Sequence, residues 1–152
     1  MIIFTDGSAH PNPGPGGYGV IVYDDNGKLI EVYSKQYSNT KVTNNEMELK
    51  GILYIMLKYG KYNPIVYSDS AYSINTLTNW MFSWAKNGWI KSDKKTPENL
   101  ELIKAYYDLY QKGYRLNLQK VKGHNNIVGN EIVDKLATGK ISAEEVYNKY
   151  GN

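Results

Sequence analysis

A chain of 152 residues, 41% hydrophobic and 22% charged, is the size of one ordinary domain and apolar enough to build a core, which excludes a disordered segment. It holds no cysteine, which excludes a disulfide framework and any thiolate metal site. No apolar run approaches the ~20 residues of a membrane span, and the two isoleucines at the start are too few for a signal peptide, so a cytoplasmic monomer with no membrane partner is expected.

Residues 2–5 alternate weakly and read as a strand, and the Gly/Pro/Asn-rich stretch 7–17 reads as a turn. Gly19 to Tyr23 is a second strand. Asp24-Asp25-Asn26-Gly27 is a hairpin signal, and Leu29 to Tyr37 completes a three-stranded meander. Thr43-x-x-Glu46 is a capping box that starts a helix, with Leu49, Ile52, Leu53 and Met56 on one face and Glu48 off that stripe. Gly60 and Pro64 end it. Pro64 to Ser68 is a short strand, placed parallel to the first. A helix is expected from near Asp69 to about Leu77, and a separate short one over Trp80 to Lys86. A basic loop, Gly88 to Pro97, precedes a long helix from Glu98 to Lys112 with Leu102, Tyr106 and Leu109 inward. Leu116 to Val121 is the fifth strand. After a Gly123–Gly129 loop, Asn130 to Thr138 is helical. The rest reads as a polar tail with room for one more helical turn. An antiparallel start followed by α/β crossovers predicts an α/β fold with a mixed sheet.

The net charge is +3, and its distribution says more than its size. Between Trp80 and Thr96, Lys86, Lys91, Lys94 and Lys95 stand against Asp93 alone, so this window carries the whole excess, together with all three tryptophans. Arg115 is the only arginine, so phosphate contacts would come from lysine point charges and neutral donors, not guanidinium forks.

Four segments each supply an acid: Phe4-Thr5-Asp6-Gly7-Ser8, Asn44-Asn45-Glu46-Met47-Glu48, Tyr67-Ser68-Asp69-Ser70, and Asn130-Glu131-Ile132-Val133-Asp134. Singly, each has an ordinary reading: a turn residue, a solvated helix position, a helix N-cap, a polar helix face. Jointly they point elsewhere. Asp6 and Asp69 end strands expected to be neighbours, at the edge where sites form in such sheets. Converging carboxylates repel unless a cation sits among them, and oxygen-only ligands suit magnesium or manganese. His124, in a glycine- and asparagine-rich loop, titrates near neutrality if unperturbed.

These segments resemble type 1 ribonuclease H, the family that cuts RNA in RNA–DNA hybrids. The resemblance covers about residues 2–138. It rests on Thr5-Asp6-Gly7-Ser8, Asn12-Pro13-Gly14-Pro15-Gly16-Gly17-Tyr18-Gly19, Thr43-Asn44-Asn45-x-Met47-Glu48-Leu49, Ser68-Asp69-Ser70, and Val121-Lys122-Gly123-His124 through Asp134-x-Leu136-Ala137. It implies a ribonuclease H-like five-stranded mixed sheet flanked by helices, with a catalytic domain over residues 1–139 and a tail over 140–152. It implies Asp6, Glu48, Asp69 and Asp134 as metal-binding acids and His124 as a catalytic auxiliary that moves protons or releases product. Two Mg2+ ions, or Mn2+ as substitute, would bind with the substrate and serve both sides of an in-line displacement, leaving 5′-phosphate and 3′-hydroxyl ends. Asn12, Asn44 and Asn45 would meet the RNA strand in the minor groove. Thr43 and Asn99 would hold a phosphate of the DNA strand, and Trp80 and Trp84 its sugars. The window of Lys86, Lys91, Lys94 and Lys95 resembles the family's basic protrusion. None of these contacts reads a base, so cleavage should be largely sequence-independent.

The sequence departs from many bacterial members at Ala71, where a glutamine is common, and at Glu46 and Ile103. An N-terminal hybrid-binding module is not expected. Two other readings stay open: a catalytically silent hybrid-binding module on the same fold, and another nuclease of the superfamily, such as an integrase or resolvase. The composition, rich in Lys, Asn, Ile and Tyr, suggests an AT-rich bacterial or viral genome.

Overall fold

A computed structural model of the chain describes residues 1–121 and 128–151. Five strands form one sheet: β1 (Ile2–Ala9), β2 (Gly14–Tyr23), β3 (Leu29–Val42), β4 (Ile65–Ser68) and β5 (Asn117–Lys120), in the order β3-β2-β1-β4-β5. β2 pairs antiparallel with β1 and β3, while β4 runs parallel to β1 and β5. The mixed sheet expected from the sequence is therefore observed.

Helices lie on both faces. On one, α1 (Asn44–Tyr59), α2 (Ala71–Asn75), α3 (Met81–Lys86) and α4 (Leu100–Gln111) enclose a core that includes Ile3, Val20, Met47, Ile52, Ile55, Met56, Met81 and Ile103. On the other, α5 (Val128–Ala137) and α6 (Ala143–Tyr150) cover Ile21, Leu29 and Val32 with Ile132, Val133, Leu136 and Val146. Burying such a side chain contributes ~1.5–3 kcal/mol, so each face has its own apolar reason to hold its helices.

The elements differ from the sequence reading in informative ways. The glycine-rich turn narrows to residues 10–13, because Gly16 and Gly17 pair with Ala9 and Ser8 and carry β2 back to Gly14. β3 continues to Val42, whose partner is Gly14. Thr43 caps α1 through Oγ1, which accepts from the Glu46 amide at 3.1 Å, but the capping box stays half made: the Glu46 carboxylate lies 3.4 Å from Lys50 Nζ instead. The two short helices expected over 69–86 join into one helical run, linked by a π-helical turn at Thr76–Trp80. In α4 the fully buried residue is Ile103, with Leu102 and Leu109 only partly covered. Residues 143–150 form two turns of helix, more than a polar tail. Ser142 and Glu145 make a complete capping box, Val146 is buried, and the Tyr147 hydroxyl donates to the Ile30 carbonyl at 2.7 Å.

Candidate active site

The site grows from the meeting of β1 with α1. Thr5 is fully buried and its hydroxyl donates to the Gly19 carbonyl at 2.9 Å, which fixes β1 beside β2. Asp6, next along, pairs in register with Gly19. Gly7 lets the helix approach: a Cβ there would lie 2.4 Å from the Met47 carbonyl carbon and 2.5 Å from the Glu48 nitrogen, distances no side chain tolerates. The missing side chain brings the α1 backbone against β1 and sets Glu48 beside Asp6. Glu48 is off the apolar stripe of α1, yet it is 6% exposed, like Asp6. Asp69 arrives from the parallel neighbour β4, one residue past its end. It is not a helix cap, because Ser70 takes that role by accepting from the Ser73 amide at 3.0 Å.

Asp6, Glu48 and Asp69 each offer a carboxylate oxygen within 4.8 Å of the others. At that separation two ionised carboxylates repel by about 3.5 kcal/mol for an effective dielectric near 20. The protons respond. Burial, with added repulsion from Asp69 and Asp134, raises the Asp6 carboxyl from its ordinary 3.8 to about 7, against a hydrogen bond with Glu48 and one from the Gly7 amide that favour ionisation. Burial and the charge of Asp6 push Glu48 well above the usual carboxylate range, and in their shared hydrogen bond Glu48 is the partner that holds the proton. The Asp6 Oδ1 accepts from the Gly7 amide at 2.9 Å. Glu48 Oε2 is buried with no hydrogen-bond partner among the described residues.

These observations test whether the residues fit a metal. The donor set is all oxygen, it is anionic, and it contains a buried acceptor with nothing to accept from. Each feature suits a hard divalent cation and none suits a purely structural cluster, where buried acceptors find donors. The residues fit. Asp134, the fourth acid, is exposed on α5 and stands outside the 4.8 Å group, while its charge reaches Asp6. His124 lies outside the described residues.

The other candidate residues spread from this centre. Asn12 Oδ1 accepts from the Asn44 amide at 3.1 Å, and Asn44 Oδ1 accepts from the Ala9 amide at 2.7 Å. These two exposed side chains thus stitch the 10–13 turn to the start of α1. Asn45 is half-buried beside them. Asn99 sits before α4 in the left-handed region, at φ +58°, and its Nδ2 donates to the Tyr72 hydroxyl at 3.4 Å. Thr43 is committed to capping α1 through its hydroxyl. Trp80 is exposed and Trp84 half-buried, with ring centroids 6.2 Å apart. With Tyr72, Lys91 and Asp93 they line a cleft of about 470 Å3. Lys86, Lys94 and Lys95 are exposed, while Lys91 lies 3.9 Å from Asp93. The sequence reading missed Gly7 as a site residue, although the Asp6-Gly7 dipeptide carried the signal.

This geometry has known counterparts. A family model described as RNase H matches residues 1–142. A ribonuclease H of Orientia tsutsugamushi (strain Boryong) is 41% identical over 147 residues, covering 95% of this chain and 84% of that protein. The solution structure of the PFV RNase H domain superposes with a TM-score of 0.76 at 23% identity, covering 91% of this chain and 92% of that one. LC11-RNase H1, solved in complex with RNA/DNA hybrid, gives a TM-score of 0.66 at 21% identity, covering 95% and 97%. At such identities the two structures speak for the fold alone. Asp6 does not end its strand as the sequence suggested, since β1 stays paired through Ala9, while Asp69 follows β4 directly. The family model and the relative that match this chain are those of a nuclease. The chain belongs to the ribonuclease H family.

Proposed function

We propose that this chain is a divalent-metal-dependent endoribonuclease that hydrolyses the RNA strand of RNA–DNA hybrids, leaving 5′-phosphate and 3′-hydroxyl ends. The observation that carries the proposal is the convergence of Asp6, Glu48 and Asp69, with one buried Glu48 oxygen unpartnered. Asp6, Glu48, Asp69 and Asp134 would hold the cations. Two Mg2+ ions, or Mn2+ in their place, would supply Lewis acidity to the attacking water and to the departing 3′ oxygen. The raised carboxyls of Asp6 and Glu48 would give up their protons as the cations bind. His124 would serve as the auxiliary that moves protons or releases product.

The substrate surface would follow the side chains placed around this centre. Asn12, Asn44 and Asn45 would present amides to the 2′-hydroxyls of the RNA strand. Thr43 and Asn99 would hold a DNA phosphate, through the Thr43 hydroxyl's remaining capacity and nearby amides. Trp80 and Trp84 would lie against DNA sugars, with Lys86, Lys91, Lys94 and Lys95 adding salt-dependent attraction to phosphates. We infer a cytoplasmic monomer as the working form.

The test uses end-labelled RNA–DNA hybrid, double-stranded RNA and double-stranded DNA, each with magnesium or EDTA. Internal cleavage of the hybrid's RNA strand in magnesium only, with 3′-hydroxyl products, is the expected result. Hybrid binding without cleavage would assign a silent binding module instead, and cleavage of duplex DNA would assign another nuclease of the superfamily.

A further inference from the structure

Asp134 depends on α5 for its place, and α5 is a short helix of ten residues. Its apolar face packs Ile132, Val133 and Leu136 on Ile21, Leu29 and Val32. Leu136 fits over Gly19, and Gly129 lies against the Phe4 ring, each where a Cβ would clash, which sets how closely α5 lies on the sheet; apolar contact as such is non-directional. Turning α5 by about 20° would move a carboxylate near the ~6 Å outer radius by roughly 2 Å. Directional bonds add to the control of that rotation.

Among the described residues such bonds are at the C-terminal end. Thr138 N and Oγ1 donate to the Asp134 carbonyl at 3.1 and 2.9 Å. Gly139, at φ +73°, donates to the Leu136 carbonyl, and Lys140 to the Lys135 carbonyl. All of these come from the chain's own continuation and move with the helix. Among the described residues one anchor comes from elsewhere: Gln36 Nε2 donates to the Leu136 carbonyl at 2.8 Å and to the Ala137 carbonyl at 3.2 Å. Gln36 is on β3, and its register partner on β2 is Gly17. A Cβ at Gly17 would lie 2.5 Å from Gln36 Nε2, so the carboxamide reaches α5 over a lane that only glycine leaves open. Gly17 pairs in turn with Ser8 of β1, two residues beyond Asp6.

We propose that Gln36 is a positioning residue for the active site: its carboxamide, laid across Gly17, ties the end of α5 to the sheet and fixes the rotation at which Asp134 faces Asp6, Glu48 and Asp69. The inference rests on the proposed metal role of Asp134. Gln36 touches neither substrate nor the cluster, and acts through the helix. The orientation of the carboxamide follows from its partners, since both are carbonyls and only the amide nitrogen can donate.

The experiment compares the full chain with Gln36→Leu, Gln36→Lys and Asp134→Asn. Amide hydrogen exchange at residues 137–140 is read in EDTA. Hybrid cleavage is read as kcat, KM and the Mg2+ concentration for half-maximal rate. A lost charge-free hydrogen bond at a capped end corresponds to roughly a tenfold change. Gln36→Leu should therefore exchange about tenfold faster at residues 138–140, lose about tenfold in kcat, raise the Mg2+ midpoint several-fold and leave KM for the hybrid within about twofold. Gln36→Lys should restore these values, because an ammonium donates to both carbonyls and suits a helix C-terminus. Unchanged exchange and Mg2+ midpoint in Gln36→Leu would overturn the proposal. So would a lowered Tm with kcat and Mg2+ midpoint intact, which marks a merely structural bond, or failure of Gln36→Lys to rescue. Wild-type cleavage by Asp134→Asn would overturn the site reading beneath it, while the exchange data would still decide whether Gln36 holds α5.

Discussion

Asp6→Asn should make the cation-free protein more stable than wild type at neutral pH, by an amount that grows with pH. The carboxyl of Asp6 keeps its proton to about pH 7 in the folded chain, against an ordinary 3.8. Between those values the folded state binds more protons than the unfolded state. Wild-type stability is therefore lost as pH rises from about 4 to about 7, and the loss is complete above. Three pH units at ~1.36 kcal/mol each set a limit of about 4 kcal/mol, and relaxation of the site would bring this nearer 2. Asparagine has no such proton to lose, and its side-chain oxygen can still accept from Glu48. The Glu31 carboxylate, held below its usual range despite burial by Lys58, Tyr54 and Tyr59, adds a pH dependence of opposite sign, but it is common to both proteins and cancels in the difference.

The assay is thermal unfolding in EDTA at half-unit steps from pH 4 to 8. For a chain of this size ~1 kcal/mol moves Tm by about 2–4 °C, so the variant should lead by roughly 4–12 °C at pH 7.5 and by little at pH 4. Saturating Mg2+ should then narrow the gap, because a ligand at 100 times its Kd stabilises wild type by about 2.7 kcal/mol and the variant has lost a donor. A difference in Tm that stays flat from pH 4 to 7 would refute the reasoning, since it would mean that Asp6 titrates as an ordinary carboxylate.

Asp69→Asn should abolish cleavage in magnesium while far-ultraviolet circular dichroism and Tm stay at or above wild type; turnover by the folded variant would remove Asp69 from the site. His124→Ala should slow turnover without ending it, checked by single-turnover cleavage of a labelled hybrid. Gly7→Ala should cost both stability and activity, because its Cβ would lie 2.4 Å from the Met47 backbone and must drive α1 away from β1; a Tm loss of several degrees, about 2 kcal/mol or more, is expected by calorimetry. Replacing Lys86, Lys91, Lys94 and Lys95 with alanine should raise KM more than it lowers kcat and flatten the slope of log affinity against log salt by roughly 3 units at most, read from hybrid titrations at several salt concentrations.

Much of this molecule was legible before its structure. The meander, the crossover order and the elements bearing the acids follow from hydrophobic period and turn chemistry, which are local signals. What escaped was set by tertiary contact. Gly16 and Gly17 look like turn residues, yet they are strand because β1 and β3 pair with them on both sides. Glu46 fits a capping box, but Lys50 one turn on offers it a charge. The helix α6 was legible and overlooked: Ser142-x-x-Glu145 is a capping box, and Val146 is the apolar residue it delivers to the core. Glu48 shows the limit most clearly. Its helical position predicts a solvated side chain, and nothing in the local sequence shows that the absence of a side chain at Gly7, 41 positions earlier, would bury it.

That burial explains why the fold places carboxylates where they repel. A solvated cluster would be cheap to assemble, but it would hold a cation weakly, since water competes for every donor. Here the core on α1, beginning with Met47 and Leu49 on either side of Glu48, fixes the backbone that carries the acid, and Thr5 does the same for Asp6. Apolar packing of neighbouring residues thus bears the cost of holding Asp6 and Glu48 in a dry position with raised proton affinity. The same packing leaves the Glu48 oxygen without a donor among the described residues, an oxygen that a bound cation would satisfy. Asp134, proposed as the fourth acid, comes from a different layer, on an exposed face of α5. On the proposed reading the site has a buried part, built into the β1–α1 contact, and an exposed part on a short helix that Gln36 ties to the sheet.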